Sequence, residues 1–145
     1  MVRFVLAITL GVALGAGGLS LARHDEKGHG MVKKLSERDV IEKLDGKEAR
    51  VTTVEVTYEP GEAGQPHRHP GPIFGYVLEG ELELGLGEEA IRTLTAGETF
   101  YEPTGILHRV SRNLGTKART RVLAVILHPR DAKDIVLPGL VAPKE

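Results

Sequence analysis

The chain has 145 residues, which suffices for a single domain with its own core and is too short for two ordinary domains. Its 19 basic and 20 acidic residues give a formal net charge of -1, so we predict neither a nucleic-acid partner nor an anionic membrane surface. The absence of cysteine excludes disulfides, thiolate metal ligands and a cysteine nucleophile.

Residues 1–22 are typical of an export signal. Arg3 precedes an apolar run from Phe4 to Leu14, and the small residues Ser20 and Ala22 suit the positions ahead of a cleavage site. This run is short for a membrane span, which needs ~20 residues, so cleavage is favoured over an uncleaved anchor. We therefore predict a periplasmic or secreted protein without membrane contact after signal cleavage.

The segment that follows, residues 23–34, is polar and contains glycine, and we predict a flexible linker there. Residues 35–145 then form the single folded domain. Its first element is predicted to be a short helix that begins at Ser36 and ends at Leu44. Ser36 suits an N-cap, and Val40, Ile41 and Leu44 make one apolar face of such a helix.

From Arg50 onward, apolar and polar residues alternate, which is the period of half-buried β-strands. The segment 121–127 is apolar on both faces and is therefore predicted to be a central strand. The apolar residues 135–137 are predicted to cover a sheet edge or to exchange with a partner subunit. About seven short strands with glycine and proline turns predict a β-sandwich or a small β-barrel.

Two histidines one residue apart, His67 and His69, lie ahead of one strand, and His108 follows a later turn. Side chains at i and i+2 of an extended chain point to the same side, so the first two imidazoles can face one point. Three converging neutral imidazoles would form a site for a divalent transition metal. The alternative is a polar pocket in which the histidines bind an anionic or hydroxylated ligand directly. His128, beside Pro129 at a strand end, is interpreted as a surface residue.

The spacing of these residues resembles the two motifs of the cupins, a superfamily of jelly-roll proteins. The first motif places glycines before and after His-x-His, and Gly61 and Gly80 take those positions. The second motif is matched by Gly97, Pro103, Gly105 and His108, with Asn113 one position later than the pattern requires. The resemblance implies an all-β fold, a small single-domain cupin barrel of the cupin-2-like kind.

One position departs from the family pattern. The resemblance implies a glutamate ligand seven residues before Gly80, where this chain has Ile73, whose side chain cannot coordinate a metal. Glu102 occupies a position that is usually apolar in the family and faces the barrel interior. A buried carboxylate is costly unless it is paired or metal-bound. Glu102 is therefore predicted either to complete the metal site or accept a proton there, or to lie at the barrel mouth and pair with Arg68 or Arg109.

These observations predict one metal held by His67, His69 and His108, with Glu102 as the candidate fourth ligand. The metal is a divalent transition metal, with Fe, Mn, Cu, Ni and Zn all left open. No organic cofactor is predicted, and no catalytic residue is assigned. The pocket wall is predicted to be partly apolar through Ile73, Phe74, Val77 and Phe100.

The leading functional hypothesis is a dioxygenase-like oxidation of a small, oxygen-rich molecule that binds at open metal positions. The first alternative is a non-catalytic domain that binds or senses a small molecule or a metal. The second alternative is a structural barrel that self-associates. A homodimer is expected on the resemblance, because cupins commonly dimerise.

Overall fold

The computed structural model describes residues 23–24 and 30–139, which form β-strands and turns without any helix in those ranges. The strands are β1 Arg23–His24, β2 Met31–Leu44, β3 Lys47–Tyr58, β4 His67–Arg68, β5 Ile73–Glu79, β6 Glu81–Leu86, β7 Arg92–Thr95, β8 Thr99–Glu102, β9 His108–Arg112, β10 Thr120–Pro129 and β11 Leu137–Pro138. The described ranges accordingly contain no helix long and apolar enough to cross a membrane. The predicted export signal over residues 1–22 lies outside the described residues.

The strands form two antiparallel sheets. Sheet A has the order β1-β2-β3-β10-β5-β8, and sheet B has the order β11-β4-β9-β6-β7. Alternate residues of a strand face opposite sides, so Ile73 and Val77 of β5 are buried while Phe74 and Tyr76 are exposed. The all-β jelly-roll architecture implied by the family resemblance is confirmed, and the core lies between its two sheets. That core consists of Val54, Tyr58, Ile73, Val77, Leu82, Leu84, Leu86, Leu94, Phe100, Val122 and Ile126.

The short helix predicted from Ser36 to Leu44 is wrong, because these residues lie in β2 and pair with β3. The register of this pair shifts between Lys34 and Ser36 and again between Asp39 and Lys43. These irregularities leave half-buried residues at a spacing of four, namely Val32, Ser36, Val40 and Leu44. Such a spacing imitates the period of a helix, while the hydrogen-bonding partner that makes it a strand lies in another segment.

β2 also begins earlier than the predicted domain. Its first residue is Met31, so the last four residues of the predicted linker over 23–34 belong to the folded sheet. Residues 25–29 of that linker lie outside the described residues.

The turn at Gly105 connects the two histidine motifs through a backbone hydrogen bond. Gly105 has a φ of 70°, in the left-handed region that a side chain disfavours. Its backbone N–H donates to the carbonyl of His69 at 3.0 Å. The chain then enters β9 at His108, so this turn brings the start of β9 beside the His67–His69 segment.

Candidate metal centre

Strand pairing brings the three predicted histidines together. β4 pairs with β9 so that His67 lies directly opposite His108. The ring centroid of His67 lies 4.8 Å from that of His69 and 4.8 Å from that of His108. One ring nitrogen from each histidine lies within 4.8 Å of the other two, and the three residues could hold a metal ion. The convergence expected from the sequence is therefore present in the fold.

Backbone carbonyls orient two of these rings. Nδ1 of His67 lies 2.8 Å from the carbonyl oxygen of Gln65, and Nδ1 of His69 lies 2.6 Å from that of Ile135. A carbonyl only accepts hydrogen bonds, so we assign the ring proton to Nδ1 in both histidines. Nε2 then carries the lone pair, and Nε2 of His69 lies 4.0 Å from Oε2 of Glu102. This is the tautomer in which a neutral histidine binds a metal through Nε2.

Glu102 lies inside the barrel beside the histidines. Its residue is 3% exposed, and its Oε1 lies 3.3 Å from Nδ1 of His108. Its Oε2 is buried and accepts no hydrogen bond from the residues that the structure describes. Burial raises the pKa of Glu102 to about 7, because the interior disfavours the charged form.

The alternative position of Glu102, at the barrel mouth beside an arginine, is wrong. Arg68 donates instead to the carbonyl oxygen of Gly105 at 2.6 Å. Arg109 donates to the carbonyl oxygens of Gly87 and Glu89. Both guanidinium groups are therefore hydrogen-bonded to backbone carbonyls of turns.

Ile73 and Glu102 are direct cross-strand partners. β5 pairs antiparallel with β8, and the two residues face each other in the register. Both are buried, at 2% and 3% exposure, so their side chains point to the same inner face. Directly opposite side chains in such a pair lie about 5 Å apart at Cβ. Glu102 thus carries a carboxylate into the interior from the strand beside the position where the resemblance implies a glutamate.

A cavity of about 90 Å³ adjoins this cluster and is lined by all three histidines and Glu102. Ile73 and Phe100 lie in its wall, as the sequence predicts. Val77 is instead part of the core, and Phe74 is 55% exposed on the outer face of sheet A. The prediction of Phe74 as a wall residue is wrong because neighbouring residues of one strand face opposite sides.

His128 is a buried residue, and its interpretation as a surface residue is wrong. It is 3% exposed on β10, whose last residue, Pro129, still pairs with Ala49 of β3. Its Nδ1 lies 2.9 Å from the carbonyl oxygen of Pro129, and its Nε2 lies 2.9 Å from Oγ1 of Thr52. We assign a proton to Nδ1, which leaves Nε2 to accept from the threonine hydroxyl. His128 therefore links two strands and does not join the cluster.

The sequence did not reveal the role of the segment 131–139 at this site. Ile135 and Val136 line the cavity, and the carbonyl of Ile135 holds the ring of His69. β11 pairs with β4, so the prediction that the apolar residues near this end cover a sheet edge is confirmed. The available signal was the apolar run 135–137 before a proline and a glycine, which predicted an edge contact and not a histidine partner.

Comparisons with known proteins agree with this architecture. The family model for the cupin domain matches residues 54–126. Germin-like protein subfamily 2 member 2 of Arabidopsis thaliana is 37% identical over 79 residues, covering 50% of this chain and 36% of that protein. The chain therefore matches only about a third of that relative's length.

Solved structures are also similar to the chain, among them two that differ in identity, coverage and TM-score. One is an oxalate oxidase in complex with the substrate analogue glycolate, at 28% identity and a TM-score of 0.55, covering 77% of this chain and 58% of that one. The other is a conserved protein from Klebsiella pneumoniae with a double-stranded β-helix domain, at 19% identity and a TM-score of 0.59. That likeness covers 81% of this chain and 92% of the Klebsiella chain and bears on the fold alone.

Proposed function

The chain belongs to the cupin family, and on this premise we propose that it holds one divalent metal through His67, His69, His108 and Glu102. One observation carries the proposal. Oε2 of Glu102 is buried without a hydrogen bond from the described residues, and it faces His69. A buried carboxylate in that state is costly unless a cation compensates it. Three imidazoles and a carboxylate are a donor set that suits first-row divalent metals, so the residues present fit the ion.

We infer a metal-dependent oxidation of a small molecule, with dioxygen as the electron acceptor. Such a metal, when bound, supplies Lewis acidity and, if it is redox-active, electron exchange. The carbonyls of Gln65 and Ile135 keep the imidazoles of His67 and His69 in one orientation. Glu102 either completes the ligand set or accepts a proton from the substrate at Oε2. Apolar side chains, among them Ile73 and Phe100, line the cavity beside these groups.

The oxidative part of the proposal is supported by a relative. An oxalate oxidase shares 28% identity and the fold with this chain, and its structure holds a substrate analogue. The second candidate function is a non-catalytic domain that binds or senses a small molecule or a metal. Ile73 favours that candidate, because it stands where the family resemblance implies a glutamate ligand.

Metal analysis of the untagged protein tests the proposal first. We expect about one equivalent of a transition metal after purification or after reconstitution with Fe, Mn, Cu, Ni or Zn. Less than about a tenth of an equivalent with all five would reject the metal site. Oxygen consumption by the loaded protein with small hydroxy acids then separates the two candidates, since a binding domain consumes none.

We also propose export, on the pattern of residues 1–22. The test is fractionation of cells that produce the full chain, followed by N-terminal sequencing of the mature protein. Cleavage after Ala22, with the product outside the cytoplasm, is the expected result. Retention of the full-length chain in the cytoplasm would contradict it.

Finally, we propose that two copies associate through the outer face of β5 and β8. β8 is an edge strand, and Phe74 and Tyr101 are exposed there with ring centroids 5.3 Å apart. Glu89 and Arg92 border the same hollow, so a twofold-related copy can meet opposite charges.

Sedimentation equilibrium tests this dimer. We expect Phe74→Ser to weaken association by about tenfold or more, because it removes an aromatic contact from the interface. Leu114→Ser, at an exposed loop residue, is the matched control and should leave the mass unchanged. A wild-type protein that remains a monomer at high concentration would reject the dimer.

A further inference from the structure

The wall of the cavity beside the histidines is mainly apolar. From sheet A it includes Val54, Val122, Ala124 and Ile126, and Ile135 and Val136 close another side. The volume of about 90 Å³ is small. For comparison, an apolar cavity of about 150 Å³ accepts benzene. A ligand of this cavity therefore has only a few non-hydrogen atoms, and most of its surface contacts hydrocarbon.

The wall offers little to a second anionic group. Among the described residues that line the cavity there is no lysine, arginine, asparagine or glutamine. The polar side chains other than the metal-centre residues are Tyr58 and Ser111. The hydroxyl of Tyr58 donates to Oγ of Ser111 at 3.1 Å, so the tyrosine proton is used within the wall and the hydroxyl of Ser111 keeps its own proton to donate. The nearby Arg68 and Arg109 donate to backbone carbonyls of turns.

The net charge of the metal-loaded site also disfavours a ligand with two negative charges. Three neutral imidazoles, one carboxylate and a divalent cation sum to a charge of about plus one. A monoanionic ligand brings that sum to zero. A dianion would leave one negative charge against mainly apolar walls, with no lysine or arginine and only the Ser111 hydroxyl as a donor among the described wall side chains outside the metal centre, which is costly.

We propose that the site binds a small monoanion with one chelating end and an apolar remainder, as in a short 2-hydroxy monocarboxylate, and that it disfavours dicarboxylates. This inference rests on the proposed metal site and replaces the oxygen-rich substrate predicted from the sequence. Oxalate, a dianion at neutral pH, falls in the disfavoured class. The chain therefore differs in substrate class from the oxalate oxidase whose fold it shares.

Lactate and tartronate provide a matched pair of probes. Both carry the same 2-hydroxy carboxylate, and they differ only in a methyl group against a second carboxylate. The full-length protein is loaded with Co²⁺, and the visible absorption of the bound ion is followed at equal ionic strength and equal free Co²⁺. We expect lactate to bind at least about tenfold more tightly, because one uncompensated buried charge costs more than about 1.4 kcal/mol. Equal or tighter binding of tartronate would overturn the inference.

A cavity-filling variant locates the apolar end. Ala124→Leu places a larger side chain in the wall and is expected to weaken lactate binding by about tenfold with Co²⁺ content unchanged. Val125→Leu, at the next residue on the outer face of sheet A, is the control and should bind lactate as the wild type does. Wild-type lactate affinity in Ala124→Leu would place the ligand elsewhere and overturn the inference.

The Co²⁺ content separates this inference from the proposed function. Protein without bound Co²⁺ after reconstitution would reject the metal site itself. Protein that holds Co²⁺ and prefers tartronate keeps the metal site and rejects only the substrate class.

Discussion

His128 and the histidine cluster lie within the same β-barrel, yet their ring nitrogens meet different groups. In His128, and in His67 and His69, Nδ1 lies beside a backbone carbonyl. Nε2 of His128 meets the hydroxyl of Thr52, a donor from the neighbouring strand. Nε2 of His69 faces a carboxylate, and one nitrogen of each clustered histidine approaches a common point. The group that meets the second nitrogen thus separates a structural histidine from a candidate ligand.

The largest expected effect is the loss of bound metal when one histidine of the cluster is replaced. His67→Ala removes one of three converging nitrogens, so the metal content should fall from about one equivalent to less than about a tenth. His128→Gln, at a buried histidine outside the cluster, should retain the wild-type content. Elemental analysis after dialysis measures both variants. Equal loss in the two variants would show that buried histidines matter here through folding and not through ligation.

The next effect tests whether Glu102 has taken the role implied for residue 73. Glu102→Gln keeps the shape of the side chain and removes its charge, so metal affinity should fall by about 10- to 100-fold. Adding Ile73→Glu to this variant should restore most of the affinity, because the two residues are direct cross-strand partners. Competition with a fluorescent metal chelator gives the affinities.

Glu98→Gln is the control for that experiment. Glu98 is an exposed carboxylate that accepts hydrogen bonds from Thr95, so its variant should bind metal as the wild type does. Failure of Ile73→Glu to recover metal affinity would contradict the proposal that Glu102 replaces the glutamate ligand implied at position 73.

A third prediction concerns the structural side of the comparison. His128→Ala removes the acceptor of the Thr52 hydroxyl and leaves a buried void, so the free energy of unfolding should fall by about 3 kcal/mol. His128→Gln retains a polar group and should lose less. Urea unfolding of the metal-free proteins measures both. An unchanged free energy in His128→Ala would show that the Thr52 contact adds no stability.

The smallest expected effect is a pH dependence of the metal-free protein. Burial raises the pKa of Glu102 from 4.5 to about 7, so the folded state binds this proton more tightly than the unfolded state. Below about pH 4.5 the carboxyl is protonated in both states and carries no penalty. Between about pH 4.5 and 7 the unfolded state ionises first, so the free energy of unfolding falls as pH rises, by on the order of 2 kcal/mol.

Glu102→Gln removes the ionisable carboxyl, and with it this pH dependence of the free energy of unfolding, from the metal-free protein. Its free energy of unfolding should exceed that of the wild type at pH 8 and approach it near pH 4.5. Glu102 lies 3.3 Å from His108 and 4.0 Å from His69, so the difference between the two curves reports the carboxyl together with its interaction with these rings. A difference that does not vary with pH would contradict the buried position of Glu102.

The fold and the three histidines could be predicted from the sequence because turns fix them locally. Glycine and proline at set distances from His67, His69 and His108 specify where strands end and which way the next one starts. The buried position of Glu102 was one of two alternatives, and the register of β5 with β8 decides between them.

The features that sequence reasoning missed depend on partners far along the chain. His128 is buried because of Thr52, which lies 76 residues away on the neighbouring strand. β2 looks helical because its register shifts reproduce a spacing of four. The carbonyl of Ile135 carries no sequence signal at all, since every residue has a carbonyl and only the path of the backbone selects this one.

The hydrogen bond between His69 and Ile135 closes a loop of 66 residues and joins a candidate ligand to the segment that holds β11. Because this contact belongs to the docked segment, docking favours the tautomer of His69 that can bind a metal. By linkage, a bound ion would then stabilise the packed position of this segment by the same factor by which the packed segment raises the affinity for the ion. On the proposed metal site, metal affinity would therefore be coupled to resistance to proteolysis near residue 135.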